Sequence, residues 1–67
     1  MKPQSILTPY LLEVLAFIAD CDPSYEEIAN KFSIAQSTAR HNEQRLRLLT
    51  NQKTRAGLVV FYYKNFV

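Results

Sequence analysis

Ser24-Tyr25-Glu26-Glu27-Ile28-Ala29-Asn30-Lys31-Phe32-Ser33-Ile34-Ala35-Gln36-Ser37-Thr38-Ala39-Arg40 holds two helix starts separated by one short break. Ser24 followed by Glu27 has the spacing of a capping box, in which the hydroxyl accepts from the Glu27 amide and the carboxylate accepts from the Ser24 amide. Tyr25, Ile28, Ala29 and Phe32 then fall at i, i+3, i+4 and i+7 and form one buried helical stripe. Phe32-Ser33-Ile34 reads as a tight turn. With no Gly or Pro from Ala35 to Thr50, a further helix is predicted over about residues 35 to 50. The spacing therefore predicts a short helix over about 24 to 32, a turn, and a longer helix.

Upstream, Thr8-Pro9 starts another helix, because Thr caps well and Pro is favoured at the first helical position. Leu11, Val14, Leu15 and Ile18 give it a buried stripe, while Tyr10, Leu12 and Phe17 lie off that stripe. This first helix, about 9 to 20, is apolar on more than one side, so it is either central or has a second packing partner. Asp20-Cys21-Asp22-Pro23 ends it.

Placed at 100° per residue, the longer helix turns Ala35, Ala39, Asn42, Leu46 and Leu49 to one side. Ser37, Arg40, His41, Gln44 and Arg47 face the other way, with Gln36 on the flank. Glu43 stands three residues from Arg40 and four from Arg47, a spacing that suits modest ion pairs with both. Asn51 is suited to a left-handed helix end. Beyond it, Leu58-Val59-Val60-Phe61-Tyr62-Tyr63 is β-branched and aromatic, the strongest strand signal in the chain. With the polar Gln52-Lys53-Thr54-Arg55 before it and the only glycine, Gly57, between, a β-hairpin is predicted over about 52 to 64. The expected class is α+β, mostly α, in one domain covering residues 1 to 67.

The 67 residues suffice for a single small core. The lone Cys21 and lone His41 offer neither an internal disulfide nor a metal site, and no cofactor is expected. There is no signal peptide, no run long enough to span a bilayer and no Gly-rich phosphate loop, so the expectation is a cytoplasmic non-enzyme with no small-molecule ligand. The net charge of +2 conceals a division. Residues 1 to 30 set Lys2 against Glu13, Asp20, Asp22, Glu26 and Glu27, whereas residues 31 to 55 set Lys31, Arg40, Arg45, Arg47, Lys53 and Arg55 against Glu43 alone. Such a polarised field suits a polyanion met by one face.

Residues 24 to 40, with the hairpin expected after them, resemble the winged helix-turn-helix family of small bacterial and phage transcriptional regulators. In that family's pattern a helix of the form S-x-x-E-I-A precedes a turn and a reading helix that begins S-x-S-T-V-R. Two positions depart from it: Ser33 stands where the turn usually has Gly, and Ala35 where the reading helix usually has a Ser cap. The resemblance implies a three-helix domain with a C-terminal β-hairpin wing, binding double-stranded DNA with the third helix in the major groove. On that reading Gln36, Ser37, Thr38, Arg40, His41 and Gln44 face DNA. Arg40 pairs with guanine and the glutamines with adenine, while Arg45 and Arg47 meet phosphates. Lys53 and Arg55, beside the wing tip, anchor the adjacent backbone. The competing expectation is a winged-helix interaction or dimerisation module without DNA binding, since the 58 to 63 strand and the first helix each carry apolar residues on more than one face. Either surface is a candidate for a homodimer.

Overall fold

The computed structural model describes residues 6–67, which form four helices: α1 (Pro9–Cys21), α2 (Tyr25–Phe32), α3 (Gln36–Thr50) and α4 (Arg55–Phe66). No strand occurs among the described residues, so the expected hairpin wing over 52 to 64 and the α+β class are both corrected. The regular structure of the described residues is all helical. None of these helices is long and apolar enough to cross a membrane.

The first three helices start and stop where their capping chemistry dictates. Thr8 Oγ1 accepts from the Leu11 amide at 3.2 Å, with Pro9 opening α1. Ser24 is the cap of α2 rather than its first residue, and both bonds of the capping box form, at 3.1 and 2.9 Å. The three helices end on left-handed residues, Asp22, Ser33 and Asn51, with φ of 45°, 56° and 58°. Ser33 thus occupies the backbone conformation that favours glycine. Ala35 caps α3 with no side-chain hydrogen bond. Both departures should carry a stability cost: Ser33→Gly and Ala35→Ser are each expected to raise stability by up to about 1 kcal/mol. In a domain of this size that is a rise in melting temperature of roughly 4 to 8 °C, readable by circular dichroism.

The fourth helix replaces the strand because strand propensity reflects fit to a neighbouring pleated surface, and the described residues offer no such neighbour. A helix closes its own backbone hydrogen bonds instead. Thr54 caps it, with Oγ1 accepting from the Gly57 amide at 3.0 Å. Gly57 therefore lies in the first turn of a helix, not in a hairpin, and its φ is not positive. Its missing side chain makes room for Gln52, whose Oε1 would lie 2.6 Å from an added Cβ. Leu58 is fully buried, and Phe61, Tyr62 and Phe66 pack partly buried against the core at i+3, i+4 and i+8 from it.

The core consists of Leu7, Leu11, Val14, Leu15 and Ile18 around α1, with Ile28, Ala39, Leu46 and Leu58 from the other three helices. α1 packs against α3 and α4, which explains why it is apolar on more than one side. Its off-stripe rings meet Phe32 of α2 edge-on, Tyr10 at 5.7 Å and Phe17 at 6.1 Å between centroids. Asn42, on the inward side of α3, is buried and donates from Nδ2 to the Tyr10 hydroxyl at 2.6 Å. From α4, the Tyr63 hydroxyl donates to Asp20 Oδ1 at 3.1 Å. That hydrogen bond, assisted by burial and the carboxylate's charge, raises the phenol pKa. Its folded value lies above the unfolded one, so the stabilisation holds below the ordinary tyrosine range and is lost as pH rises through the raised value.

Candidate nucleic-acid interface

The α2–turn–α3 unit positions the candidate reading surface. The eight-residue α2 ends on the left-handed Ser33, Ile34 donates back to the Ala29 carbonyl at 2.9 Å, and three residues, Ser33, Ile34 and Ala35, separate α2 from α3. The turn between these two packed helices has the length that a helix-turn-helix also uses. The small Ala39, buried in α3, lets the two helices approach closely at that end.

Gln36, Ser37, Thr38, Arg40, His41, Gln44 and Arg45 are all solvent-exposed along α3. Leu48 joins them at 81% exposure, in line with Ser37, His41 and Gln44, and places an apolar side chain on this otherwise polar face. Arg47 is only half-buried rather than outward. Its Nε is buried without a hydrogen bond, 4.0 Å from Glu43 Oε2, and one guanidinium nitrogen donates to the Lys53 carbonyl at 3.3 Å. Gln44, Arg47, Leu48, Gln52 and Lys53 line a shallow groove where α3 meets the connection to α4. The inward side also differs from expectation: Ala35 and Leu49 are exposed, and Glu43 and Thr50 are buried in their place. Thr50 is satisfied by donating to the Leu46 carbonyl at 2.7 Å.

Glu43 is the residue whose role was hardest to see in sequence. It is 4% exposed and accepts from Arg55 Nε at 2.9 Å, from a second Arg55 nitrogen at 2.6 Å and from the Tyr25 hydroxyl at 3.2 Å. The expected ion pair with Arg40 is absent, because Arg40 instead lies over the Tyr25 ring, 5.3 Å from its centroid. Arg55 also sits over that ring at 5.6 Å, donates to Asp22 Oδ1 at 3.3 Å and donates to the Pro23 carbonyl. Burial alone would lower the Arg55 pKa, but hydrogen bonds and charge from Glu43, then Asp22, outweigh it and raise the value further. Instead of flanking a wing tip, Arg55 is the first residue of α4 and ties that helix to α3 and to the α1–α2 turn. Lys53 remains exposed, on the α3–α4 connection rather than on a wing. No sequence-local signal links Glu43 with Arg55 or Tyr25, which lie twelve and eighteen residues away.

Of the residues Leu58 to Tyr63 expected to form a strand with two apolar faces, Leu58, Phe61 and Tyr62 turn to the core, and Val59, Val60 and Tyr63 belong to the opposite side of α4. Ala56, Val59, Val60, Tyr63 and Val67 recur at i, i+3, i+4, i+7 and i+11, with Val60 64% exposed. The chain matches no protein-family model, no curated protein and no solved structure.

Proposed function

We propose that this protein is a sequence-specific double-stranded DNA-binding regulator of helix-turn-helix type, with α3 in the major groove and no wing. The observation that carries the reading is the withdrawal of the only acidic residue of α3. Glu43 is buried against Arg55, so the exposed side chains of α3 are cations, amides, hydroxyls, the His41 imidazole and two leucines, Leu48 and the less exposed Leu49, with no carboxylate among them. That inventory suits base edges and phosphates. Arg40 reads guanine, and Gln36 and Gln44 read adenine. Ser37, Thr38 and the free amides of the first α3 turn receive a phosphate, an anion that the positive end of the helix dipole also favours. Leu48 offers apolar surface to a thymine methyl. Arg45 and Lys53 contact backbone phosphate, with His41 beside them. Arg55 is left out of this set because its donors are engaged within the fold.

Fluorescence anisotropy of a labelled random duplex of about 30 base pairs, at about 50 and 200 mM salt, tests the reading. Micromolar binding that weakens steeply over this range is expected. On a duplex then selected from a randomised library, Arg40→Ala should cost about 1 to 3 kcal/mol and blur base preference. Lys53→Ala should weaken all sequences alike and lower the salt slope by about one unit. Absence of binding at low salt favours the second reading, a helical interaction or dimerisation module. The specific observation behind that reading is the exposure of Val60 and Tyr63 on α4 and of Val67 just beyond its end.

A further inference from the structure

We infer that Tyr25 is a positioning residue for DNA recognition, holding Arg40 in the orientation from which it reads a base; the inference rests on the DNA-binding reading above. Tyr25 belongs to α2 and has no place on the exposed side of α3. Its ring nevertheless lies under the Arg40 guanidinium at 5.3 Å, within cation–π range. The ring itself is fixed at its far end, because its hydroxyl donates to Glu43 Oε2 at 3.2 Å. Glu43 is in turn clamped by Arg55 at 2.6 and 2.9 Å. A continuous set of contacts thus runs from the start of α4, through the buried carboxylate of α3, to the aromatic ring of α2 and out to the arginine proposed to specify sequence.

An exposed arginine is otherwise a flexible side chain that loses rotamer freedom when it engages a base. Stacking on a ring fixed from behind restricts it before DNA arrives, so less order has to be imposed on binding. The effect belongs to specificity, because a loosely held guanidinium still neutralises phosphates but forms a bidentate base contact less readily. Tyr25 therefore acts on the ratio of specific to non-specific affinity rather than on the salt slope.

The test uses the full chain, the random duplex and a duplex recovered by selection with the wild-type protein, at a temperature where circular dichroism shows every variant folded. Tyr25→Leu removes the ring and is expected to lower the selected-to-random affinity ratio about 2- to 5-fold, in keeping with an exposed cation–π contact. Tyr25→Phe keeps the ring and should preserve most of the ratio. In an Arg40→Ala background Tyr25→Leu should cause no further loss, an interaction that a merely structural role for Tyr25 would not produce. By nuclear magnetic resonance, the Arg40 side-chain protons should show an upfield ring-current shift in wild type and Tyr25→Phe that is lost in Tyr25→Leu. An equal loss of the ratio in both backgrounds, or Arg40 protons with no ring-current shift, overturns the inference while leaving DNA binding intact. A wild-type chain that binds neither duplex overturns the DNA-binding reading and this inference with it.

Discussion

Replacing Arg55 by alanine is expected to cost about 2 to 3 kcal/mol of folding stability, measured by urea or thermal denaturation. Removing one partner of a buried ion pair typically costs about 3 to 5 kcal/mol, because it strands the other charge. The lower value here follows from geometry: the Arg55 side chain is 25% exposed, so water already screens part of the interaction, whereas the Glu43 side chain is only 5% exposed. The loss is still large for a domain of 67 residues, whose single core rarely supplies more than about 3 to 5 kcal/mol. Glu43→Ala should also destabilise, but less. It leaves Arg55 with Asp22, the Pro23 carbonyl and a route to solvent, whereas Arg55→Ala leaves a buried carboxylate with the Tyr25 hydroxyl as its one remaining close donor. The double variant Glu43→Leu with Arg55→Met should recover most of the loss, since a buried ion pair replaced by apolar residues of similar volume is often neutral. A double-variant loss equal to the sum of the losses of Glu43→Leu and Arg55→Met made singly would show that the pair is not the source of the effect.

This pair also marks where reading the sequence reaches its limit. Glu43 was expected to serve Arg40 and Arg47, because only neighbours at three and four residues are visible from helical spacing. Its actual principal partner, Arg55, comes within reach only because α4 turns back across α3, a fact of tertiary structure. Features set by local chemistry were legible. The Ser24–Glu27 capping box, the Thr8-Pro9 start, the left-handed Asn51 end and the exposure of Arg40, His41 and Gln44 all depend on residues within one or two turns of each other. The Tyr10–Asn42 bond and the Arg40–Tyr25 stacking were not legible for the same reason that the Glu43–Arg55 pair was not.

The fourth helix failed for a different cause. Every residue from Leu58 to Tyr63 is apolar, so neither a period of 2 nor one of 3.6 can be read from the run itself. Two flanking signals favoured a helix: Thr54 as a cap and Phe66 eight residues after Leu58, on the same side as Phe61 and Tyr62. The polar segment before the run also offered too few residues to pair with a six-residue strand. A strand without a partner leaves its amides and carbonyls unpaired, and a helix does not. Local β propensity lost to that requirement.

A pair of substitutions at Val60 separates the two conformations with a large effect. Val60 lies in the middle of α4 and is 64% exposed, so shortening its side chain disturbs little packing. Val60→Ala is therefore expected to be neutral or to stabilise by roughly 0.5 kcal/mol, because alanine loses less side-chain freedom in a helix than a β-branched residue does. Val60→Pro should cost about 3 kcal/mol or more, since proline removes a backbone donor and its ring collides with the preceding turn. In a hairpin the order would differ: alanine would lose strand propensity, and proline at an outward edge position would be tolerated. The loss in Val60→Pro should carry Leu58 and Phe61 with it, because both reach the core only while α4 is intact. Far-ultraviolet circular dichroism with thermal melts of the three proteins measures the effect. A proline variant as helical and as stable as the alanine variant would refute the helix over residues 55 to 66.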